Sequence, residues 1–257
     1  MIGSQLVTTT TDGGIARVTI AHPPLNILTR ALLGELRETL HALAADRSLR
    51  VVVLGAAGKH FSAGADVGEH LPPAWKAMVP EFLDTVGALR AFPLPLVAAV
   101  RGLCFGGGFE LVQGADLVVA GEGASFGQPE IQLGVIPPAA CALLPMLAGP
   151  ALAAEIVLTG DPLTAAQAAA AGLVARVVPD DAVDAEALAL AGRIARHSAA
   201  ALRVAKRALR PRSRERLEAD ALAGAGRRYA RDLMRTVDAT EGLAAFLEKR
   251  APAWTHQ

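Results

Sequence analysis

Apolar and polar positions along the chain follow two rhythms. Leu6 to Thr11 and Ile15 to Ile20 are short β-prone runs around Asp12-Gly13-Gly14, whose glycines accept positive φ, and they predict an opening hairpin. Leu32, Leu33, Leu36, Leu40 and Leu43 recur at helical spacing behind Thr29, a capping residue, so one face of that helix is core. Val51-Val52-Val53-Leu54 is instead a continuous apolar run closed by Gly55, the pattern of a strand buried on both faces. Val97 to Val100 and Leu117 to Ala120 repeat it, and Gly106 to Gln113 between them reads as a short helix opened by three glycines. This order of strand, glycine turn, helix and strand predicts a parallel sheet.

Further along, Thr164 and Gln167 fit a capping box, and Gly172 closes the helix before a strand over Val174 to Val178. From Asp181 to Arg250 good helix formers dominate and strand-like runs stop. The expectation is an α/β core over residues 1–195 and a helical region over 196–257. Leu133 to Ala154 carries no charge and is long enough to raise a membrane span. Pro137, Pro138, Pro145 and Pro150, with Gly134 and Gly149, cut it into pieces too short to cross as one helix.

Composition narrows the classes. Hydrophobic residues are 52% of 257 and charged ones 19%, which excludes a disordered chain. Lys plus Arg equals Asp plus Glu at 25 each and aromatics are 4%, so neither nucleic acid nor a membrane surface is an expected partner. Cys104 and Cys141 form no disulfide framework and no CxxC pair, and the first residues lack a secretory pattern, so the expected compartment is the cytoplasm. The six histidines show no HExxH spacing, and no metal site is expected.

Two glycine turns carry the candidate chemistry: Phe61-Ser62-Ala63-Gly64-Ala65-Asp66 and Gly106-Gly107-Gly108-Phe109-Glu110, each just beyond a predicted strand end, where small residues let backbone amides reach a ligand. Glu110 lies nearly one helical turn past Gly107, on the same face. A second acid stands in Phe126-Gly127-Gln128-Pro129-Glu130. Taken singly, a glycine turn is tight packing, Glu110 a first-turn acid, Asp66 a helix cap and Glu130 a paired core acid.

In combination and order, these segments closely resemble the enoyl-CoA hydratase/isomerase (crotonase) family, as do Pro24-Leu25-Asn26-Ile27-Leu28 and Phe246-Leu247-Glu248-Lys249-Arg250. The resemblance covers essentially the whole chain. It implies an α/β spiral of β-β-α turns with a C-terminal helical trimerisation region, a homotrimer or homohexamer, and an acyl-CoA thioester as substrate. It further implies that the Ala65 and Gly107 amides form an oxyanion hole and that Glu110 and Glu130 hold a water, Glu110 as its base and Glu130 as the acid toward Cα. No cofactor is implied, CoA being part of the substrate. Acyl-CoA contacts are implied at Leu25, Ile27, Ala63 and Ala65, at Asp66 and Val67, at Phe105, Gly106 and Gly107, and at Pro137. Phe246 would lie beside the adenine and Lys249 by the CoA phosphates, both reaching over from a neighbouring subunit.

Ile136-Pro137-Pro138-Ala139-Ala140-Cys141 departs from the family's usual glycine-rich stretch, and the side chains of Ala140 and Cys141 are expected to alter the acyl pocket. With His70-Leu71-Pro72, this variant resembles the branch that hydrates cyclohexa-1,5-diene-1-carbonyl-CoA. Arg101 has no assigned role. The alternatives are an isomerase of the same family, a catalytically degenerate acyl-CoA-binding homo-oligomer, and a serine hydrolase. The last rests on Gly123-Ala124-Ser125-Phe126-Gly127, a formal GxSxG match that lacks the helix an elbow requires.

Overall fold

The opening hairpin forms where its Asp-Gly-Gly turn places it: in a computed structural model describing residues 5–256, β1 (Val7–Asp12) pairs antiparallel with β2 (Ile15–Ile20). Residues 1–4 and 257, the outer ends of the two expected regions, lie outside the described residues. Helix α1 (Arg30–Ala45) starts at Thr29, whose hydroxyl accepts the Leu32 amide at 3.3 Å, and the five leucines picked out by spacing are its buried face. β3 (Val51–Ala56) follows, with every residue buried.

Helix α2 (Trp75–Ala91) is not evident in the sequence pattern. Pro72 and Pro73 precede it and Pro80 interrupts its second turn, yet Met78, Val79, Phe82, Val86 and Leu89 bury one face at helical spacing. The chain then alternates between two sheets. β4 (Leu96–Val100) leads to β5 (Leu103–Phe105) and α3 (Gly107–Val112); β6 (Leu117–Gly121) leads to β7 (Ser125–Gly127) and a 3₁₀ turn, Pro129–Leu133. Each turn of this β-β-α spiral adds one strand to a large sheet and one to a small sheet. The uncharged stretch becomes α4 (Pro138–Leu147) and α5 (Pro150–Thr159), broken at Gly149 with φ +84°, and no described helix is long and apolar enough to cross a membrane.

β8 (Leu163–Thr164) joins the small sheet, and the Thr164–Gln167 capping box opens α6 (Ala165–Ala170). β9 (Arg176–Val178) is shorter than the expected run, because the Val174 amide is held by the Ala168 carbonyl. Helices α7 (Val183–Ala195), α8 (Ala199–Leu209), α9 (Arg212–Arg231) and α10 (Val237–Leu247) complete the chain.

The large sheet runs β1-β2-β3-β4-β6-β9, parallel from β2 onward. Val51, Val53, Val97, Ala99 and Val119 pack against Val183, Ala187, Leu190 and Ala191 of α7. Val52, Leu54, Leu96, Ala98 and Val100 face the main core, which explains strands apolar on both sides. α9 and α10 fold back on this core through Leu222, Ala225, Tyr229, Ala239 and Leu243. Gly242 lets α10 lie against the Leu133 carbonyl, where a Cβ would find no room.

Candidate active site

The small sheet sets the geometry. Ser62 pairs with Cys104 in a parallel bridge, so the turn after β3 and the turn after β5 run side by side with an offset of 42 (104 − 62). The same offset brings Ala65 opposite Gly107 (107 − 65 = 42), and the Ala65 nitrogen lies 3.3 Å from where a Cβ on Gly107 would stand. Neither amide donates to any group among the described residues: Gly107 opens α3, where the first amides have no intrahelical acceptor, and the neighbouring bonds use Gly64 and Asp66 instead. Both residues line a cavity of about 360 Å³. The β5–β7 register, Phe105 against Gly127, carries the next turn alongside and delivers Glu130 to the same place.

The three glycines have separate tasks. Gly106 has φ +52°, and a Cβ there would stand 2.6 Å from Glu130 Oε1. A Cβ on Gly108 would stand 2.7 Å from Ser62 Cβ, so that glycine serves packing. The Ser62 turn is held by Asn26, which is fully buried: its Nδ2 donates to the Ala57 and His60 carbonyls at 2.8 Å each, and its own carbonyl accepts the Ser62 hydroxyl at 2.8 Å.

Glu110 is 3% exposed. Its Oε1 accepts the Ala140 amide at 2.9 Å, at the start of α4, so it answers a neighbouring helix N-terminus rather than only its own. Burial pushes its carboxyl up to about 7, against the opposing pull of the Ala140 and Ala139 amides. Glu130 is half-buried, and burial followed by the charge of Glu110 holds it well above the usual carboxylate range. The Gln128 carboxamide, oriented by its neighbours, donates to Glu130 at 3.1 and 3.2 Å and accepts from Gln113 Nε2 at 3.2 Å. Both carboxyls are raised, and the charge of one opposes ionisation of the other, so the pair can hold one proton between them and offer one base and one acid.

Ala63, Ala65, Val67, Gly106, Gly107, Glu110, Glu130 and Phe246 line the cavity, as does Pro138. The other expected contacts do not. Leu25 is 38% exposed and meets Ala63 through its carbonyl; the Ile27 carbonyl meets His22. Asp66 caps the following 3₁₀ turn through the Glu69 amide, and Phe105 packs toward Gly127. Pro137 precedes α4, and Pro138 at the first helical position is the proline that reaches the wall, its missing N–H costing nothing there. Ala140 and Cys141 are outside the wall, so of this stretch Ile136 and Pro138, not those two side chains, shape the pocket.

Within this chain α10 lines the cavity through Gly242, Leu243 and Phe246, and Arg250 is on the wall where Lys249 is not. Arg250 is paired with Glu241 at 2.5 Å and Glu248 at 2.6 Å. Arg101 lies elsewhere, paired with Asp184 of α7 at 2.9 Å. Ser125 is inside β7, its amide on the Gly102 carbonyl, which removes the hydrolase elbow. Sequence reasoning missed His70, Met78, Val79 and Phe82, which reach the wall from α2 and the loop before it. Their signal was a helical apolar spacing hidden by prolines.

A spiral that brings two free amides beside two carboxyls in one cavity is the arrangement of an enzyme site that can stabilise an oxyanion and move protons next to it. The sequence model of the enoyl-CoA hydratase/isomerase family matches residues 10–257, and the chain belongs to that family. It is 39% identical over 254 residues to cyclohexa-1,5-dienecarbonyl-CoA hydratase of Thauera aromatica, covering 96% of this chain and 95% of that protein. It is 42% identical over 229 residues to 2,3-dehydroadipyl-CoA hydratase of Escherichia coli K12, covering 88% and 89%. The crystal structure of an enoyl-CoA hydratase/isomerase from Pseudoalteromonas atlantica T6c superposes with a TM-score of 0.88 at 32% identity, covering 98% of this chain and all of that one.

Proposed function

We propose that the chain hydrates a 2-enoyl-CoA, with the thioester carbonyl held by the Ala65 and Gly107 amides and the water held by Glu110 and Glu130. The observation that carries this reading is the juxtaposition of two unpartnered amides, matched in register, with two carboxyls on the same cavity wall, both raised above the usual carboxylate range. Ionised Glu110 takes a proton from the water as its oxygen bonds to Cβ, the double-bond electrons shift toward the carbonyl oxygen, and protonated Glu130 delivers its proton to Cα. Water is added across the double bond, and a proton returns from Glu110 to Glu130 to reset the pair. Each oxyanion donor contributes roughly 10²–10³ in rate and each acid–base group roughly 10²–10⁴. An isomerase needs a single proton shuttle, so retention of both carboxyls favours hydration.

A flat, cyclic dienoyl group is the acyl chain this reading favours, supported by the likeness to the Thauera protein, the Pro138 wall and the predominantly apolar lining. A dicarboxylyl chain such as the Escherichia protein's substrate would want a cation, and the wall's Arg250 is already committed to Glu241 and Glu248. The reading includes no metal or redox cofactor, because amides, carboxyls and water supply every step. It includes a homotrimer or homohexamer, supported by the exposed Val204, Leu209 and Leu217 of α8 and α9. The experiment follows loss of enoyl-thioester absorbance with crotonyl-CoA and a cyclic dienoyl-CoA side by side. Faster turnover of the cyclic substrate is expected; turnover of neither, with isomerised product instead, would refute hydration.

A further inference from the structure

One polar atom behind the cavity wall has no place in the mechanism so far. Tyr229, the chain's single tyrosine, is 0% exposed, and its hydroxyl has no hydrogen-bond partner among the described residues. A buried hydroxyl that meets nothing is costly, and such groups in folded proteins generally meet an ordered water or serve a site. Its ring centroid lies 6.4 Å from those of His70 and Trp75. His70 is on the wall and Tyr229 is not. α9, which carries the phenol, packs against α4, whose Ala140 amide donates to Glu110 Oε1 at 2.9 Å; burial raises the pKa of the phenol, and the charges of Glu110 and Glu130 raise it further. The partner that suits such a hydroxyl is a water bonded also to other polar groups.

We propose that Tyr229 is a positioning residue for hydration, its hydroxyl donating to a water that in turn hydrogen-bonds the Glu110–Glu130 pair. The proposal rests on the hydratase reading above. No bond to Tyr229 is made or broken; the phenol orients a donor toward the carboxyls and favours the ionised form of the base. Other groups around α9 do not substitute for it. Arg90 of α2 is bound to Glu218 at 2.5 Å, the Cys141 thiol of α4 is pushed up to about 12, and Arg228, its neighbour on α9, is a cation that acts on Cys141. His70 is kept neutral by burial, its Nδ1 donating to the Asp66 carbonyl at 2.8 Å.

The test compares wild type with Tyr229→Phe, which keeps the ring and removes only the hydroxyl, on whichever of crotonyl-CoA and the cyclic dienoyl-CoA turns over faster. Expected are a kcat about tenfold lower, a KM within about twofold, and an acid limb of the kcat–pH profile moved up by roughly half a pH unit. The melting temperature stays level, since ring packing is unchanged and one water-bound group is lost. Unchanged kcat and pH profile overturn the proposal, as does a raised melting temperature with unchanged kcat, the sign of a hydroxyl with no partner at all. A second measurement needs no variant at position 229. With tyrosine labelled at Cζ with carbon-13, the single resonance is expected to shift as the carboxyl pair titrates, and to lose that shift in Glu110→Gln; a resonance insensitive to pH in wild type overturns the proposal. Should wild type hydrate neither substrate, the hydratase reading fails, and the resonance still reports whether Tyr229 senses the carboxyls.

Discussion

Replacing Glu110 by Gln is expected to make the protein more stable and less active at once, with the stability gain confined to high pH. In the folded chain the Glu110 carboxyl is raised from its ordinary 4.5 to about 7, with burial as the cause. Between those values the native state holds a proton that the unfolded chain has released, so stability falls as pH rises through this window and stays reduced above it. A shift of about 2.5 (7 − 4.5) at about 1.36 kcal/mol per unit is worth about 3 kcal/mol at pH 8 and less than about 1 kcal/mol at pH 5. Glutamine carries no charge to desolvate, and its side-chain oxygen still accepts the Ala140 amide that now reaches Glu110 Oε1. Removing the Glu110 charge also relieves Glu130, which it pushes upward, so the coupled change has the same sign. At roughly 2–4 °C per kcal/mol for a chain of this size, the melting temperature of Glu110→Gln should exceed wild type by roughly 6–12 °C at pH 8, and by only about 1–3 °C at pH 5. Hydration should drop by roughly 10²–10⁴ in kcat at pH 8, where wild-type Glu110 is ionised, and by less at pH 5, where it is largely protonated. Thermal melts at the two pH values with a thioester assay test both halves. A variant equally or less stable than wild type at pH 8, or one whose gain is the same at pH 5, would show that Glu110 is not a desolvated carboxylate and would remove the base from the mechanism.

Glu130→Gln should lower kcat by roughly 10²–10⁴ while product-CoA affinity, measured by calorimetry, changes little, because the proton to Cα is lost and the amide pair is kept. Gly106→Ala places a Cβ 2.6 Å from Glu130 Oε1 at a φ of +52°, so a folded but at least tenfold slower enzyme is expected; circular dichroism and the thioester assay check it, and near-normal turnover would contradict the close approach. Arg101→Ala should leave kcat and KM unchanged, because its guanidinium pairs with Asp184 on the far side of the sheet from the cavity.

What the sequence makes legible follows the length over which a physical pattern repeats. The double-faced strands at Val51 and Val97 and the α1 leucines each span enough residues to show their period, and all three elements form where the pattern places them. Strands β5, β7 and β8 have only two or three residues, too few for any period to appear. α2 has a full helical stripe, but its prolines speak against a helix in the language that reads local propensity, and tertiary burial of Phe82 and Val86 overrides them. Its wall residues were therefore out of sight, together with Tyr229, which stands among Arg227, Arg228 and Arg231 in a run that reads as a solvated helix face.

The amides and carboxyls of the proposed mechanism, by contrast, are legible because a repeated geometry brings them together. In a spiral, successive turns stack in parallel register, so residues one turn apart in sequence become neighbours in space whatever fills the loops between. The offset of 42 between Ser62 and Cys104 places the two free amides together, and the Phe105–Gly127 pairing adds the turn that carries Glu130. Glu110 needs no long-range pairing, since α3 carries it nearly one turn beyond Gly107. The proposed chemistry thus depends on strand register more than on any contact between the two carboxyl side chains themselves. A slip of one residue in the short β5–β7 pairing would turn Glu130 to the other face and leave Glu110, both amides and most of the core in position. That separation explains how one scaffold can keep its oxyanion hole while the acid–base residues change. Under the proposed mechanism, the placement of the second carboxyl rests on three-residue strands rather than on the large sheet that holds most of the core.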